Sequence, residues 1–219
     1  MSVRLPLFPL NTVLFPHMPA ALHIFEERYR EMIRDCREQG TSFGVVAIRE
    51  GIEVAAPALP FSVGTLAQIH QFDALDDGRF NLVVAGASRF RVESLSLDRS
   101  YLVGDIHYLQ DSRGDEAAIP PLAHRAARAY RAYAAGLRGL AEHSDATDEV
   151  GELPDDPELL SYLIAASLNV ETRTRQELLE EDSVEGRLRR CLRVLRRELV
   201  FLDQMLARRA PAIVPVSLN

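Results

Sequence analysis

The sequence predicts an α+β protein, with an N-terminal antiparallel β-barrel that includes one helix and a C-terminal α-helical bundle that ends in a long helix. Three observations carry that expectation. Between Phe43 and Leu109, apolar runs of strand length alternate with turn residues. Beyond about residue 110 strand patterns do not return, and apolar residues recur at three- and four-residue steps. The 219 residues are 47% hydrophobic, 26% charged and 7% aromatic, the arithmetic of a folded chain rather than a disordered one. A folded chain of this size buries roughly 70% of the surface its unfolded form exposes, so it requires neither disulfides nor a metal for stability.

Residues 3 to 16 are apolar and β-prone but contain Pro6, Pro9 and Pro16, each of which withholds a ladder donor, so the segment suits an edge strand. From Phe25 to Gln39, the positions Phe25, Tyr29, Met32, Ile33 and Cys36 make the apolar stripe of one helix, stopped at Gly40. Strands are expected over Phe43 to Ile48, Gly64 to Phe72, Phe80 to Ala85, Phe90 to Leu97 and Tyr101 to Leu109. Asp77-Gly78 signals a hairpin with a type I′ turn.

The polar stretch Gln110 to Asp115 suggests a boundary, giving a barrel domain over 1–110, a helical domain over 111–209 and an extended tail over 210–219. Helices are expected from Pro120 to Leu140, from Pro157 to Leu168 with Asp156 as N-cap, and from Arg173 to Glu181. A last helix carries the stripe Leu188, Cys191/Leu192, Leu195, Leu199, Leu202, Leu206, with Asp182 and Glu185 at capping-box spacing. Charge in this half is uneven. Glu142 to Glu158 carries eight acids and no arginine, whereas Gly186 to Arg209 carries eight arginines against Glu198 and Asp203. A solvated acidic loop beside a basic helix face accounts for this at a few tenths of a kcal/mol per exposed pair; a dedicated partner or nucleic-acid surface is the alternative.

Several chemistries are excluded. All 25 basic residues are arginine, so the chain has no Walker A lysine, no Ser-Lys dyad and no amine for a Schiff base, and arginine cannot substitute because it stays protonated. His17, His23, His70, His107, His124 and His143 are scattered, and Cys36 and Cys191 lie far apart, which suggests reduced structural thiols and no metal site. Gly86-Ala87-Ser88 leads into Arg89-Phe90 rather than completing a nucleophile elbow, and reads as a strand junction. No Gly-x-Gly-x-x-Gly loop is present, so no cofactor is expected. No stretch approaches about 18 uncharged apolar residues and the first residues do not form a signal peptide, so a cytoplasmic location is expected.

The unusual segment is Val13 to Phe25, an apolar loop whose proline spacing is expected to prevent regular pairing. Either it plugs the core, or part of it stays exposed and binds apolar polypeptide. On the second reading Phe15, Met18 and Leu22 are the apolar contacts, with Glu27 and Arg28 as rim charges at the start of the adjacent helix.

Leu5-Pro6-Leu7-Phe8-Pro9-Leu10, Leu14-Phe15-Pro16-His17-Met18-Pro19 and Leu22-His23-Ile24-Phe25-Glu26-Glu27-Arg28-Tyr29-Arg30 closely resemble the opening of the N-terminal substrate-binding domain of Lon proteases. Phe43-Gly44-Val45-Val46, Val63-Gly64-Thr65-Leu66-Ala67, Gly78 to Val84, Arg89-Phe90-Arg91-Val92 and Gln176 to Glu180 resemble later parts of the same domain in order. The resemblance implies a PUA-like β-barrel followed by a helical bundle. It further implies a stand-alone member of the family, without the ATPase and Ser-Lys protease domains. The expected role is a non-enzymatic module that holds unfolded or apolar polypeptide segments, with a separate protease or ATPase as a further partner. Two alternatives stand beside it. RNA binding is suggested by PUA-like barrels elsewhere, against which a pI near 5.4 argues; the other is an uncharacterised hydrolase.

Overall fold

The computed structural model describes residues 2–50, 59–140 and 151–209. Strand β1 (Val3–Leu10) lies between two neighbours. Its first half, Val3 to Leu7, pairs antiparallel with β6 (Leu102–Tyr108), and its second half, Leu7 to Leu10, pairs parallel with β3 (Phe43–Glu50). The expected edge strand is therefore internal. Its prolines are tolerated because each half needs ladder donors on one side only, Pro6 lying in the β6-paired half and Pro9 in the β3-paired half.

Strand β2 (Pro19–Ile24) forms inside the segment expected to be a loop, and helix α1 (Glu27–Gln39) follows it. Pro19 is the first residue of β2, a position where a missing N–H costs little. Helix α1 buries Tyr29, Met32, Ile33 and Cys36, as its spacing predicts, but it starts at Glu27 and leaves Phe25, expected in the same stripe, outside it and 51% exposed. It ends in a Schellman arrangement: Gly40 adopts φ 62°, and the Thr41 amide donates to the Cys36 carbonyl at 2.8 Å.

Strands β4 (Leu59–Ala74) and β5 (Phe80–Ser96) are long and bent, with register shifts near Thr65/Ala67, Ile69/Gln71 and Val92/Ser94. The two strands expected at Phe80 to Ala85 and Phe90 to Leu97 are one, because β5 runs through Gly86-Ala87-Ser88 and changes partners on the way. Its first part pairs with β2, its last part with β6, and β4 lies along it from Phe80 to Arg91. The hairpin at Asp77-Gly78 is present, but only Gly78 has positive φ, at 78°, so the turn is not type I′. Residues 75–79 instead close through Leu75 and Arg79, and the Asp77 carboxylate accepts from the Arg79 amide at 3.1 Å.

The resulting six-stranded sheet runs β2-β5-β4-β3-β1-β6 with β6 also paired to β5, and it is mixed rather than antiparallel because β1 and β3 run together. One core cluster sits between the sheet and α1, where Phe8 meets Tyr29 edge-on at 4.4 Å. A smaller one gathers Leu5, Leu7, Val46, Phe90 and Ile106.

After β6 the chain forms α2 (Ile119–Leu140), α3 (Pro157–Ser167), α4 (Thr172–Leu179) and α5 (Val184–Arg209). Asp156 caps α3 as its position predicts, accepting from the amides of Glu158 and Leu159. At α5 the cap is Ser183 rather than Asp182: its Oγ accepts from the Gly186 amide at 3.0 Å, while Glu185 accepts from the Asp115 amide at 2.8 Å. The third cluster joins these helices to Val13, Phe15, Ala47 and Val63 of the strand-rich half. The first part of the acidic run, from Glu142, and the expected tail over 210–219 lie outside the described residues.

Candidate functional site

The structure divides the residues expected to bind. Phe15 is a core side chain, 1% exposed, with its ring 6.4 Å from that of Tyr162 and the Arg175 guanidinium 5.6 Å above it. It offers no surface to a ligand, which corrects the expectation that it is a contact. The burial follows from a tight turn in which the Met18 amide donates to the Phe15 carbonyl at 3.2 Å. Pro16 and His17 occupy the turn's central positions, with His17 at φ 65°, a conformation required where the second central residue of a type II turn sits. The Phe15 carbonyl lies against Gly86, where any side chain would collide with it. Met18 is half-buried against the same helical cluster.

Leu22 lies elsewhere. It lines a cleft of about 250 Å³ formed by the end of β1 (Phe8, Leu10), by Ala21 to Phe25, and by Glu26 and Tyr29 at the start of α1. Ala21, Leu22, His23 and Ile24 are consecutive residues of a strand, and successive strand residues face opposite sides. A cleft that meets all four therefore abuts the strand's edge. That edge is open: β2 pairs with β5 on one side and, among the described residues, with nothing on the other. Beside it Phe25 is 51% exposed and Leu22 half-buried.

The charged rim is Glu26 rather than Glu27. Glu26 holds Arg28 through a 2.9 Å ion pair, and the Arg28 guanidinium lies 4.5 Å from the centre of the Tyr29 ring, the aromatic side wall of the cleft. Glu27 instead points along α1 to Arg30 and, at 3.3 Å, to Arg34. At the opposite rim His23 is fixed by two partners. Its Nδ1 is 2.7 Å from Asn81 Oδ1, which only accepts, and its Nε2 is 3.2 Å from Arg79 Nη1, which only donates. The neutral ring with its proton on Nδ1 satisfies both. Arg79 also bonds Asp77, and those bonds hold the Asp77 carboxyl below its usual range.

A larger cavity, about 420 Å³, lies where β5 meets the helices and is lined by His17, Ser88, Arg89, Asp111 and Tyr162 among others. Two enclosed arginines converge beside it, Arg89 at 2% exposure and Arg187 at 0%. Both reach Asp111, which also accepts from the Tyr162 hydroxyl, and Arg187 stacks 3.7 Å from the Tyr162 ring centre. Arg89 further donates to the Leu179 carbonyl at 2.7 Å, and Arg187 to Ser161 Oγ at 2.8 Å. Burial, the larger influence, and the bond to Asp111 raise the Tyr162 hydroxyl pKa. Arg89 Nη1 also lies 3.5 Å from the exposed Asp182, so two carboxylates face the two guanidiniums, and the network is a clamp between strand and helices. Among the described residues no group of three or more His, Cys, Asp or Glu side chains is placed to hold a metal ion, and no helix is long and apolar enough to cross a membrane.

Residues 4–197 match the family model described as the ATP-dependent protease La (LON) substrate-binding domain. The chain is 28% identical to the Lon protease of Anaeromyxobacter dehalogenans over 90% of its own length and 24% of the relative's. It is 25% identical to that of Escherichia coli K12 over 92% of its length and 26% of the relative's. It thus spans about a quarter of the length of these curated relatives. Among solved structures it is similar to a Lon N-terminal domain protein from Xanthomonas campestris, with TM-score 0.64, 29% identity and coverage of 87% of this chain and 98% of that one. The N-terminal domain of a Mycobacterium avium complex Lon protease shares the fold, with TM-score 0.62, 19% identity and coverage of 90% and 98%. The match of the family model across nearly the whole described chain, with the α+β fold to accompany it, means that this chain belongs to the LON substrate-binding domain family.

Proposed function

We propose that the chain is a non-catalytic binding module which takes an extended, apolar segment of another polypeptide along the free edge of β2. The observation that carries this reading is the cleft that meets Ala21, Leu22, His23 and Ile24 at once, beside an unpaired strand edge and the exposed ring of Phe25. An added strand obtains main-chain hydrogen bonds from such an edge whatever its sequence, and apolar side chains from Leu22, Phe25, Phe8 and Leu10 select greasy segments over polar ones. Sequence tolerance of that kind suits the recognition of unfolded chains. Leu22 remains in the proposed site, with Phe25 and Glu26 added; Glu27 and Arg28 flank it, and Met18 packs away from it against the helices.

The same reading takes the return of β6 to β5 as closure of a PUA-like barrel over 1–110, with residues 111–209 as the helical part. It casts the chain as an adaptor in protein quality control, with a separate protease or ATPase acting on what it holds. A short peptide must offset its own ordering entropy, so micromolar affinity, about -8 kcal/mol, is the ceiling for one site.

Fluorescence anisotropy with a labelled peptide of alternating valine and threonine tests the reading. Saturable binding is expected, with at least about a tenfold loss for Leu22→Glu or Phe25→Glu. It is also expected to disappear for a peptide with proline at every second position, which cannot add to a sheet. Equal binding of both peptides would contradict it.

A further inference from the structure

Helices α2 and α5 contribute nothing to the β2 cleft, yet they enclose a groove of their own. Two adjoining depressions of about 290 and 230 Å³ share Arg125, Leu192 and Arg196 and so form one trough between the helices. Among the described residues every ionisable side chain that lines it is an arginine: Arg125 and Arg128 from α2, and Arg189, Arg193 and Arg196 from α5. The floor is apolar, made by Leu122 and Ala129 of α2 and by Leu192 and Leu199 of α5.

A basic face on a helix is usually laced with carboxylates at three- or four-residue spacing, and among the described residues of this groove that holds only at Arg189, paired with Glu185 at 2.7 Å. Among the described residues Arg125, Arg128, Arg193 and Arg196 have no hydrogen-bonding or acidic partner. The chain as a whole carries a net charge of -7, so this concentration of positive charge opposes the general balance. Like charges three and four residues apart also disfavour a helix. The groove carries that cost without any described group to offset it.

We propose that the α2–α5 groove docks an acidic amphipathic segment of a partner polypeptide. Its apolar side chains lie on Leu192 and Leu199, and its carboxylates face Arg125 and Arg128 on one side and Arg193 and Arg196 on the other. Charge complementarity selects the acidic character, and the leucine floor between two arginine rails selects a peptide over a nucleic-acid backbone, which obtains nothing from apolar contact. The groove is independent of the β2 edge, so either can fail without the other.

The probe is a fluorescein-labelled helical peptide of about 14 residues, ~20 Å long, with glutamates flanking a leucine stripe. Beside it are tested a counterpart with every glutamate changed to glutamine and a single-stranded RNA of similar charge. The full chain is expected to bind the acidic peptide saturably and to lose most of that binding as salt rises from about 50 to 300 mM. Arg128→Glu together with Arg196→Glu, both exposed positions, is expected to weaken it at least about tenfold, and Arg128→Gln with Arg196→Gln less so, while binding of the valine-threonine peptide at β2 stays unchanged. Four results would overturn the proposal: no saturation, equal binding of the glutamine peptide, tighter binding of the RNA, or binding that emerges only after Glu142, Asp145, Asp148 and Glu149 are neutralised. The last would assign the groove to the chain's own acidic run.

Discussion

Arg187 of α5 donates through Nη2 to Asp111 Oδ2 at 3.2 Å, across 76 residues of sequence, from a side chain that is wholly enclosed. Asp111 lies in the connection between β6 and α2 and also holds Arg89 of β5, so a single carboxylate ties the last strands to the helices. Arg187 has no other acid among the described residues, and Arg89 has besides it only the exposed Asp182, at 3.5 Å, so the burial of both guanidiniums leans on that one side chain.

Asp111→Ala is therefore expected to destabilise the fold by about 3–5 kcal/mol, because it leaves buried Arg187 without an acid and Arg89 with only the exposed Asp182. Urea denaturation followed by circular dichroism measures this. A loss within the ordinary surface range of about ±0.5 kcal/mol would mean that the clamp is not what joins the two parts.

Phe15 and Phe25 stand ten residues apart and are expected to behave oppositely. Phe15→Ala removes an enclosed ring and should cost about 3–5 kcal/mol of stability. Phe25→Ala removes an exposed ring and should leave stability within about ±0.5 kcal/mol while weakening peptide binding. Thermal unfolding of the two variants in parallel, with anisotropy on the second, separates the core plug from the contact surface.

Burial pushes the Cys36 thiol up to about 11 and the Cys191 thiol up to about 12. In the unfolded chain both ionise near pH 8.5. The folded form therefore keeps protons that the unfolded form releases, and the stability from these thiols is complete below about pH 8.5 and declines as pH rises toward 11–12. At pH 8 a chromogenic disulfide reagent should titrate neither thiol in the native protein and both after unfolding. Rapid native reaction would show that one of them is reachable.

Much of the helical half was legible because its signals are local. Asp156 followed by Pro157 marks the start of α3, and Tyr29, Met32, Ile33 and Cys36 mark the buried face of α1 without reference to any other element. Strand β2 was hidden because Pro16 and Pro19 read as breakers. The alternation of Ala20, Leu22 and Ile24 was the signal that could have revealed it, since these half-buried or buried residues alternate with exposed Pro19, Ala21 and His23. The fate of Phe15 was not readable locally. Its enclosure depends on Tyr162 and Arg175, which reach it from distant helices, whereas Phe25 just beyond β2 meets no such element. Arg89 and Arg187 look like surface arginines in sequence, and their burial depends on acids that tertiary structure brings to them, Asp111 for both and Asp182 for Arg89.

Amide hydrogen exchange across β2, with and without the valine-threonine peptide, is the most direct measurement. In the free protein the amides of Ala20 to Ile24 that point away from β5 should exchange quickly, and saturating peptide should slow them by about tenfold or more as a seventh strand covers them. Bound peptide that leaves those amides as fast as before would show that the open edge of β2 is not where polypeptide is held.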